Sequence, residues 1–536
     1  MPVPPVLPGP APAAAAPPAA ASIRSPTALP NPRPARILSG CRWMHRLARG
    51  VLPVLIAGLG LPVLAAGPAP TPAAPTASAA AVALPPAVAT ALARAQVPRE
   101  ALAAVVVDVE GREPPRLALQ PDALLNPASV MKLVTTQAAL ELLGPAFVWE
   151  TPVYLDARPE AGRLRGNVYI KGQGDPKLVS ERLWLLMRRL RAQGIGVIVG
   201  DIVLDRSAFA LAPHDAAQFD GEPWRPYNVA PDALLLNYKA MTLAFVPDAA
   251  AGVAHISHEP PLAQLEVPAS VPLAPDGTPC GDWRTALRAD LASAGRIALM
   301  GSYAASCGER QWSIAPADPQ GFAARAVEGM WRELGGKLTG QVRDGTVPPG
   351  LVPAFSVQSP ALAEVVRDIN KYSNNVMTQQ LFLTLALQRS GQGSLAQARA
   401  LITQWWQDYT GLPGTLVVDN GAGLSRDARL SAHALARMLQ RAWASPVMPE
   451  LMASLPIAGV DGTLRRRPSQ ASGAAHLKTG TLRDVTAVAG YVLGASGQRH
   501  VLVAIVNHAN APAARPALDA LVEWARHDKP MPRTHK

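Results

Sequence analysis

Three short groups of residues, far apart in the chain, carry side chains that could perform acyl transfer together. Ser129 and Lys132 stand at i, i+3 within NPASVMKLVTTQAAL, residues 126–140. Ser373 and Asn375 belong to KYSNN, and Lys478, Thr479, Gly480 and Thr481 to LKTGT. Ser-x-x-Lys, Ser-x-Asn and Lys-Thr-Gly each occur once, in that order. A lone Ser-x-x-Lys arises from ordinary composition about once or twice in a chain of this length, and an inert serine in a helix's first turn has the same spacing. The three groups together define a mechanism. A serine hydroxyl is a poor nucleophile and needs a base within hydrogen-bond reach. Lys132 can be that base only if burial and a second cation, Lys478, make its ammonium acidic. The positive end of a helix would favour negative charge developing on Ser129. Ser373 can relay a proton between Lys132 and a leaving amine, and Asn375 can donate to a substrate carbonyl. Gly480 bares the strand edge, so that a peptide could lie along it as an added strand. The main-chain N–H groups of Ser129 and Thr481 would form an oxyanion hole, while Lys478, Thr479 and Thr481 would grip a terminal carboxylate.

The elements that must position these groups are legible in outline. Asn126 as N-cap and Pro127 at the first helical position predict a helix that carries Ser129 and Lys132 on one face and ends near Gly144. AAVVVDVEG (103–111) and RLALQP (116–121) read as two strands leading into it. Ser373 lies at the junction of two helical stretches, the first opened by Ser359 as N-cap and Pro360. Further helices cover SLAQARALITQWWQDYTG and SAHALARMLQRAWAS. AAHLKTGTL, VTAVAGYVLG and RHVLVAIVNHA then read as three strands, the last two a hairpin, before a closing helix. Ser373 follows Lys132 by 241 positions, too many for a connection inside one compact domain. Short strand-like runs such as TPVYLDA, GNVYIKG, GVIVGDIVL and MTLAFVPD, with one amphipathic helix at SERLWLLMRRLRAQG, fill that interval. The fold class is α+β: two strands, a helix, a large β-rich insertion, a helical cluster, three strands and a helix.

The ends of the chain differ in character. Residues 1–43 form a Pro/Ala-rich arm or precede a later true start at Met44. Residues 44–66 run from basic residues through an apolar stretch to small residues, the order of a cleaved signal peptide, and residues 67–84 are an Ala/Pro linker. The net charge of +11 includes six arginines in the first 66 residues, which hold no acid or lysine, so the remainder carries +5. That body shows no Lys/Arg patch with interleaved aromatics, which argues against nucleic acid as a partner. Membrane attachment and oligomeric state stay open. Cys280 and Cys307, the two cysteines after the signal-like segment, suggest one disulfide in an exported chain. His255 and His258 lack a third ligand, so no metal and no cofactor is expected.

ASVMKLVTT, YSNNVMTQQ and LKTGTLRDVTAVAGYV resemble the penicillin-recognising serine acyl-transferases. They are most similar to the D-alanyl-D-alanine carboxypeptidase/endopeptidase family, the low-molecular-mass class C penicillin-binding proteins. GDPKL (174–178), GDIVLDRSAF (200–209), YNVAPDALLLNY (227–238), DNGAGLSR (419–426) and GVDGTLRRR (459–467) extend the likeness to roughly residues 85–525. GAGL departs from the family in lacking a serine between its glycines. Asp175, Asp419, Arg426, Asp461 and His476 are read as structural. The resemblance implies a β-lactamase/transpeptidase-like domain over 85–150 and 351–536, interrupted by inserted domains over 151–350. It implies a periplasmic serine DD-peptidase acting on peptidoglycan stem peptides, acylated by β-lactams at Ser129. A β-lactamase shares the three motifs, but the E-x-x-L-N loop used for fast deacylation does not occur. A catalytically weak wall-binding scaffold is the alternative of another class.

Overall fold

The computed structural model describes residues 83–467 and 469–528. The arm, the signal-like segment and the linker up to residue 82 lie outside the described residues. Among the described residues no helix is long and apolar enough to cross a membrane.

Five antiparallel strands build the sheet that carries the Lys-Thr-Gly group. Their spatial order is Leu117–Leu119, Leu102–Asp108, Arg499–Asn507, Val485–Leu493, Ala475–Leu482. The apolar runs AAVVVD and HVLVAIV are nearly continuous because both faces of the sheet are covered. Ala103, Val105, Val107, Val501, Val503 and Ile505 face the helical cluster. The alternate residues Leu102, Ala104, Val106, Leu502, Ala504 and Val506 face the helices Pro86–Arg94 and Arg515–Arg526. The cluster contains Leu362–Tyr372, Asn375–Ser390, Leu395–Thr410, Ala432–Trp443 and Met448–Ser454, packed around Lys132–Leu143. This central helix is buried without a break from Lys132 to Leu140, so its sequence has no polar stripe.

Two expected helix starts are different in the structure. The turn that holds Ser129 is a 3-10 helix, Ala128–Met131, and the α-helix begins only at Lys132. Asn126 is not the N-cap: Pro127 holds that position, and Asn126 Oδ1 instead accepts from Ala128 N at 2.9 Å in a turn that leads into the helical residues. Ser359 is not an N-cap either. Its hydroxyl accepts from Trp149 N and donates to Pro360 O, and the helix starts at Leu362. A tertiary donor outcompeted the local one.

The chain leaves the sheet-and-helix body along Glu150–Leu155 and returns along Pro353–Gln358, and these two strands pair antiparallel, Glu150 opposite Gln358. Between them Val168–Lys171, Ile202–Asp205 and Val342–Asp344 pair in parallel. Parallel pairing needs crossovers, and the helices Ser180–Ala192 and Phe322–Glu333 serve in them. The second of these helices was not legible in the sequence. A separate four-stranded sheet centres on Met241–Asp248 and Val253–Glu259, and Cys280 is disulfide-bonded to Cys307 beside it.

Candidate active site

The 3-10 turn brings Ser129 over the start of the central helix, where Lys132 is fully buried. Two glycines hold that turn in place. A Cβ on Gly480 would meet Pro127 O at 2.5 Å, and one on Gly423 would overlap Ala128 O. Gly480 is therefore required by the close approach of the strand to the serine turn, a reason independent of any substrate. Gly480→Ala is expected to push the turn away, lowering stability by about 1–3 kcal/mol and slowing acylation of Ser129. Thermal unfolding and the rate of penicillin labelling would check the two effects.

Lys132 Nζ lies 3.0 Å from Ser129 Oγ, 2.7 Å from Asn375 Oδ1 and 2.6 Å from Ala422 O. The contact with Ala422 uses its main-chain carbonyl, so it does not depend on the serine of the family pattern that GAGL lacks. Burial, reinforced by the charge of Lys478, holds the Lys132 pKa well below the usual lysine range. Lys478 is also fully buried, and burial lowers its pKa to about 7. Its Nζ donates to Ser373 Oγ at 2.8 Å and to Thr479 O at 2.7 Å. Ser373 thus sits on Lys478 rather than on Lys132. It occupies a left-handed position, φ 56°, at the end of the helix Leu362–Tyr372. The preceding Lys371 anchors that helix end, donating to Asp461 at 2.6 Å and to Leu455 O at 2.7 Å.

Ala475–Leu482 is an edge strand. Leu477 N donates outward to Pro456 O, and Ala475 O accepts from Ala458 N. Since peptide groups alternate along a strand, the N–H groups of Thr479 and Thr481 point to the same outer edge. From Lys478 onward that edge faces the serine turn, with Gly480 against Ser129. Ser129, Ser373, Thr479 and Thr481 all line one open cavity of about 440 Å³. Lys132, Asn375 and Lys478 lie directly behind it.

The site also contains residues to which sequence reasoning gave no role. Thr463, Arg466, Arg467 and Arg515 complete the cavity wall, and Thr463 Oγ1 is 2.9 Å from Thr479 Oγ1. The GVDGTLRRR run was visible, but nothing local distinguishes its arginines from a solvated surface. The insertion reaches the site as well. Tyr227 O accepts from Asn375 Nδ2 at 3.2 Å, and Gln380 exchanges two hydrogen bonds with the main chain of Asp232. Asn375 therefore has one amide N–H committed to the carbonyl of Tyr227. Asp419 and Arg426 pair not with each other but with Arg399 and Asp484. Among the described residues no cluster of His, Cys, Asp and Glu could hold a metal ion.

A five-stranded antiparallel sheet backed by helices, with a serine turn facing its edge strand, is the transpeptidase-like fold of penicillin-binding proteins. The structure matches crystal structures of penicillin-binding protein 4 from Haemophilus influenzae. One covers 82% of this chain and 99% of that chain at 22% identity, with a TM-score of 0.65. A complex of that protein with a β-lactam covers 80% and 96% at 21% identity, with a TM-score of 0.60. Residues 84–528 match the D-Ala-D-Ala carboxypeptidase 3 (S13) family, and the chain belongs to that family of peptidases. The D-alanyl-D-alanine carboxypeptidase of an Actinomadura species is 30% identical over 439 residues, 76% of this chain and 78% of that protein. The D-alanyl-D-alanine carboxypeptidase DacB of Haemophilus influenzae is 26% identical over 391 residues, 71% and 80%.

Proposed function

We propose that this chain is an exported, periplasmic serine DD-peptidase. It cleaves D-alanyl-D-alanine termini and D-alanyl cross-links of peptidoglycan peptides through an acyl-enzyme on Ser129, and penicillin inhibits it. The observation that carries this reading is the set of partners around Lys132. A neutral lysine has two N–H groups and one lone pair. Asn375 Oδ1 and Ala422 O accept but cannot donate, so they take both N–H groups. The lone pair is left facing Ser129 Oγ, whose proton it can accept. Tyr227 O fixes the orientation of the Asn375 amide and so, through it, the direction of that lone pair.

The substrate backbone lies antiparallel to the outer edge of Ala475–Leu482. Its carbonyl oxygen points at the N–H groups of Ser129 and Thr481, and Ser129 Oγ attacks the carbonyl carbon as Lys132 takes the proton. Ser373, held by Lys478, passes a proton to the departing amine nitrogen as the C–N bond breaks and recovers one from Lys132, which holds the proton taken from Ser129. Thr479, Thr481 and Lys478 hold the leaving residue's carboxylate. Water then releases the acyl group by the same steps in reverse. The names of the Actinomadura and Haemophilus relatives support the substrate class, and the β-lactam complex of the Haemophilus protein supports the inhibitor. The signal-like segment 44–66 supports export, and the boundaries 85–150, 151–350 and 351–536 divide the chain into a catalytic body and its insertion.

Intact mass after mixing with benzylpenicillin tests the reading. Ring opening adds the whole penicillin with no leaving group lost, and the labelled peptide should be the one containing Ser129. A lasting adduct there is expected. No adduct, or one on another peptide, overturns the assignment, and a fleeting adduct with loss of free penicillin makes the chain a β-lactamase.

A further inference from the structure

Beyond the groups that hold a reacting amide, the cavity has a second wall of one sign. Arg466, Arg467 and Arg515 line it together, and no acidic side chain does. Asp519 neutralises Arg467, at 3.3 Å. Arg515 also faces the charge of Asp519, four residues along the same helix, whereas Arg466 has no hydrogen bond or ion pair among the described residues, and both arginines are exposed toward solvent. Burial lowers the Arg467 pKa and, against the pull of Asp519, the nearby Arg515 adds to that. The wall thus gathers three arginines in one cavity lining. Arg515 is also the first residue of the helix Arg515–Arg526, whose first turn has no acidic residue. A cation there opposes the helix dipole. One carboxylate for three arginines leaves this wall with net positive charge, which an incoming anion would balance.

The position of this wall identifies which part of a substrate meets it. Thr463 bonds to Thr479, one of the residues gripping the leaving residue's carboxylate, and Arg466 follows Thr463 by one turn. The arginines thus flank the leaving half of the substrate, not the acyl half. A cavity of about 440 Å³ also offers far more room than the methyl group and carboxylate of a terminal alanine require. We propose that Arg466 and Arg515 form an anion subsite for a second carboxylate on the leaving residue, additional to the one beside the scissile nitrogen. The preferred leaving half is then an acidic one, such as the further peptide attached in a cross-link, rather than alanine alone. This inference rests on the DD-peptidase reading above.

Two synthetic substrates isolate the charge: an N-acyl-D-alanyl-D-glutamate and its neutral counterpart, N-acyl-D-alanyl-D-glutamine. Wild-type kcat/KM should favour the glutamate by about tenfold at low salt, mostly through KM, and the preference should shrink as salt screens it. In the Arg466→Gln/Arg515→Gln double variant the ratio should fall to about one. Equal rates in the wild type, cleavage of neither peptide, or a preference that survives in the double variant each overturn the subsite. Benzylpenicillin labelling of the same wild-type preparation separates the two levels of failure. A Ser129 adduct with equal rates removes the subsite only, whereas no adduct removes the DD-peptidase reading and the subsite with it.

Discussion

Lys132→Met should reduce acylation by penicillin and turnover of a D-alanyl-D-alanine peptide roughly 10³–10⁴-fold, the cost of losing a positioned general base. The side chain stays unbranched and fills most of the same space, but it loses the nitrogen that faces Ser129 Oγ at 3.0 Å. Stability should change little, because two effects oppose each other. Asn375 Oδ1 and Ala422 O lose their donor in a buried place, which costs about 1–3 kcal/mol for each group left unpaired. Against this, an amine that folding forces out of water disappears. The wild-type pH profile is the sharper check. Burial first, and the charge of Lys478 second, lower the Lys132 pKa, so its free-base form accumulates far below the usual lysine range. Acylation should therefore rise with pH along an acid limb and be close to its maximum well before pH 10. A limb that follows an ordinary lysine would mean that Lys132 is not the base. In the methionine variant the residual rate should lose this limb, while the melting temperature shows that the fold persists.

The grouping of the candidate site residues was more legible than the architecture, and the reason is range. Ser129 and Lys132 are three residues apart, and Lys478 to Thr481 are consecutive, so their relation survives in the text of the sequence. The turn that holds Ser129 was read as α-helix because Asn126 and Pro127 suit both conformations. What selects the 3-10 turn is contact with Gly423 and Gly480, each about 300 residues or more away in sequence. Ser359 misled for the same reason, since Trp149 N claimed its hydroxyl. The link from Tyr227 to Asn375 could not be read at all. It runs through a main-chain carbonyl, which every residue has, so no side-chain type betrays it. Arg466 and Arg515 stayed hidden because an exposed arginine has no local mark of purpose; only the cavity they share with Ser129 gives them one. The helix Phe322–Glu333 was masked by the Pro- and Gly-rich text before it, which pointed to short strands.

Lys478→Met should make the protein more stable and nearly inactive, and the pH dependence of the first effect is calculable in sign. An unfolded lysine keeps its proton up to its ordinary pKa of 10.5, whereas burial brings the folded value to about 7. Between those two values the unfolded chain binds more protons than the folded one, so wild-type stability rises with pH across that window. Below about pH 7 the full penalty of burying the group is present. Methionine removes it. The shift corresponds to several kcal/mol. Lost hydrogen bonds to Ser373 and Thr479 O reduce that gain, and about 1–3 kcal/mol of net stabilisation at pH 6–7 is expected. Ser373 is only half-buried, so its hydroxyl can turn to water. The excess in melting temperature over wild type should shrink steadily as the pH is raised toward 10. Activity should fall roughly 10²–10³-fold, as when one preorganised electrostatic contact to the reacting group is removed. Part of this loss follows from Lys132, which no longer feels a neighbouring cation and so holds its proton to higher pH. The acid limb of the residual acylation rate should accordingly move upward. A variant that is less stable than wild type at pH 6 would show that burial does not penalise the Lys478 ammonium, and an acid limb that stays in place would show that Lys132 does not feel its charge. Stabilisation with loss of activity is instead what a site that keeps two fully buried lysine amines close together predicts.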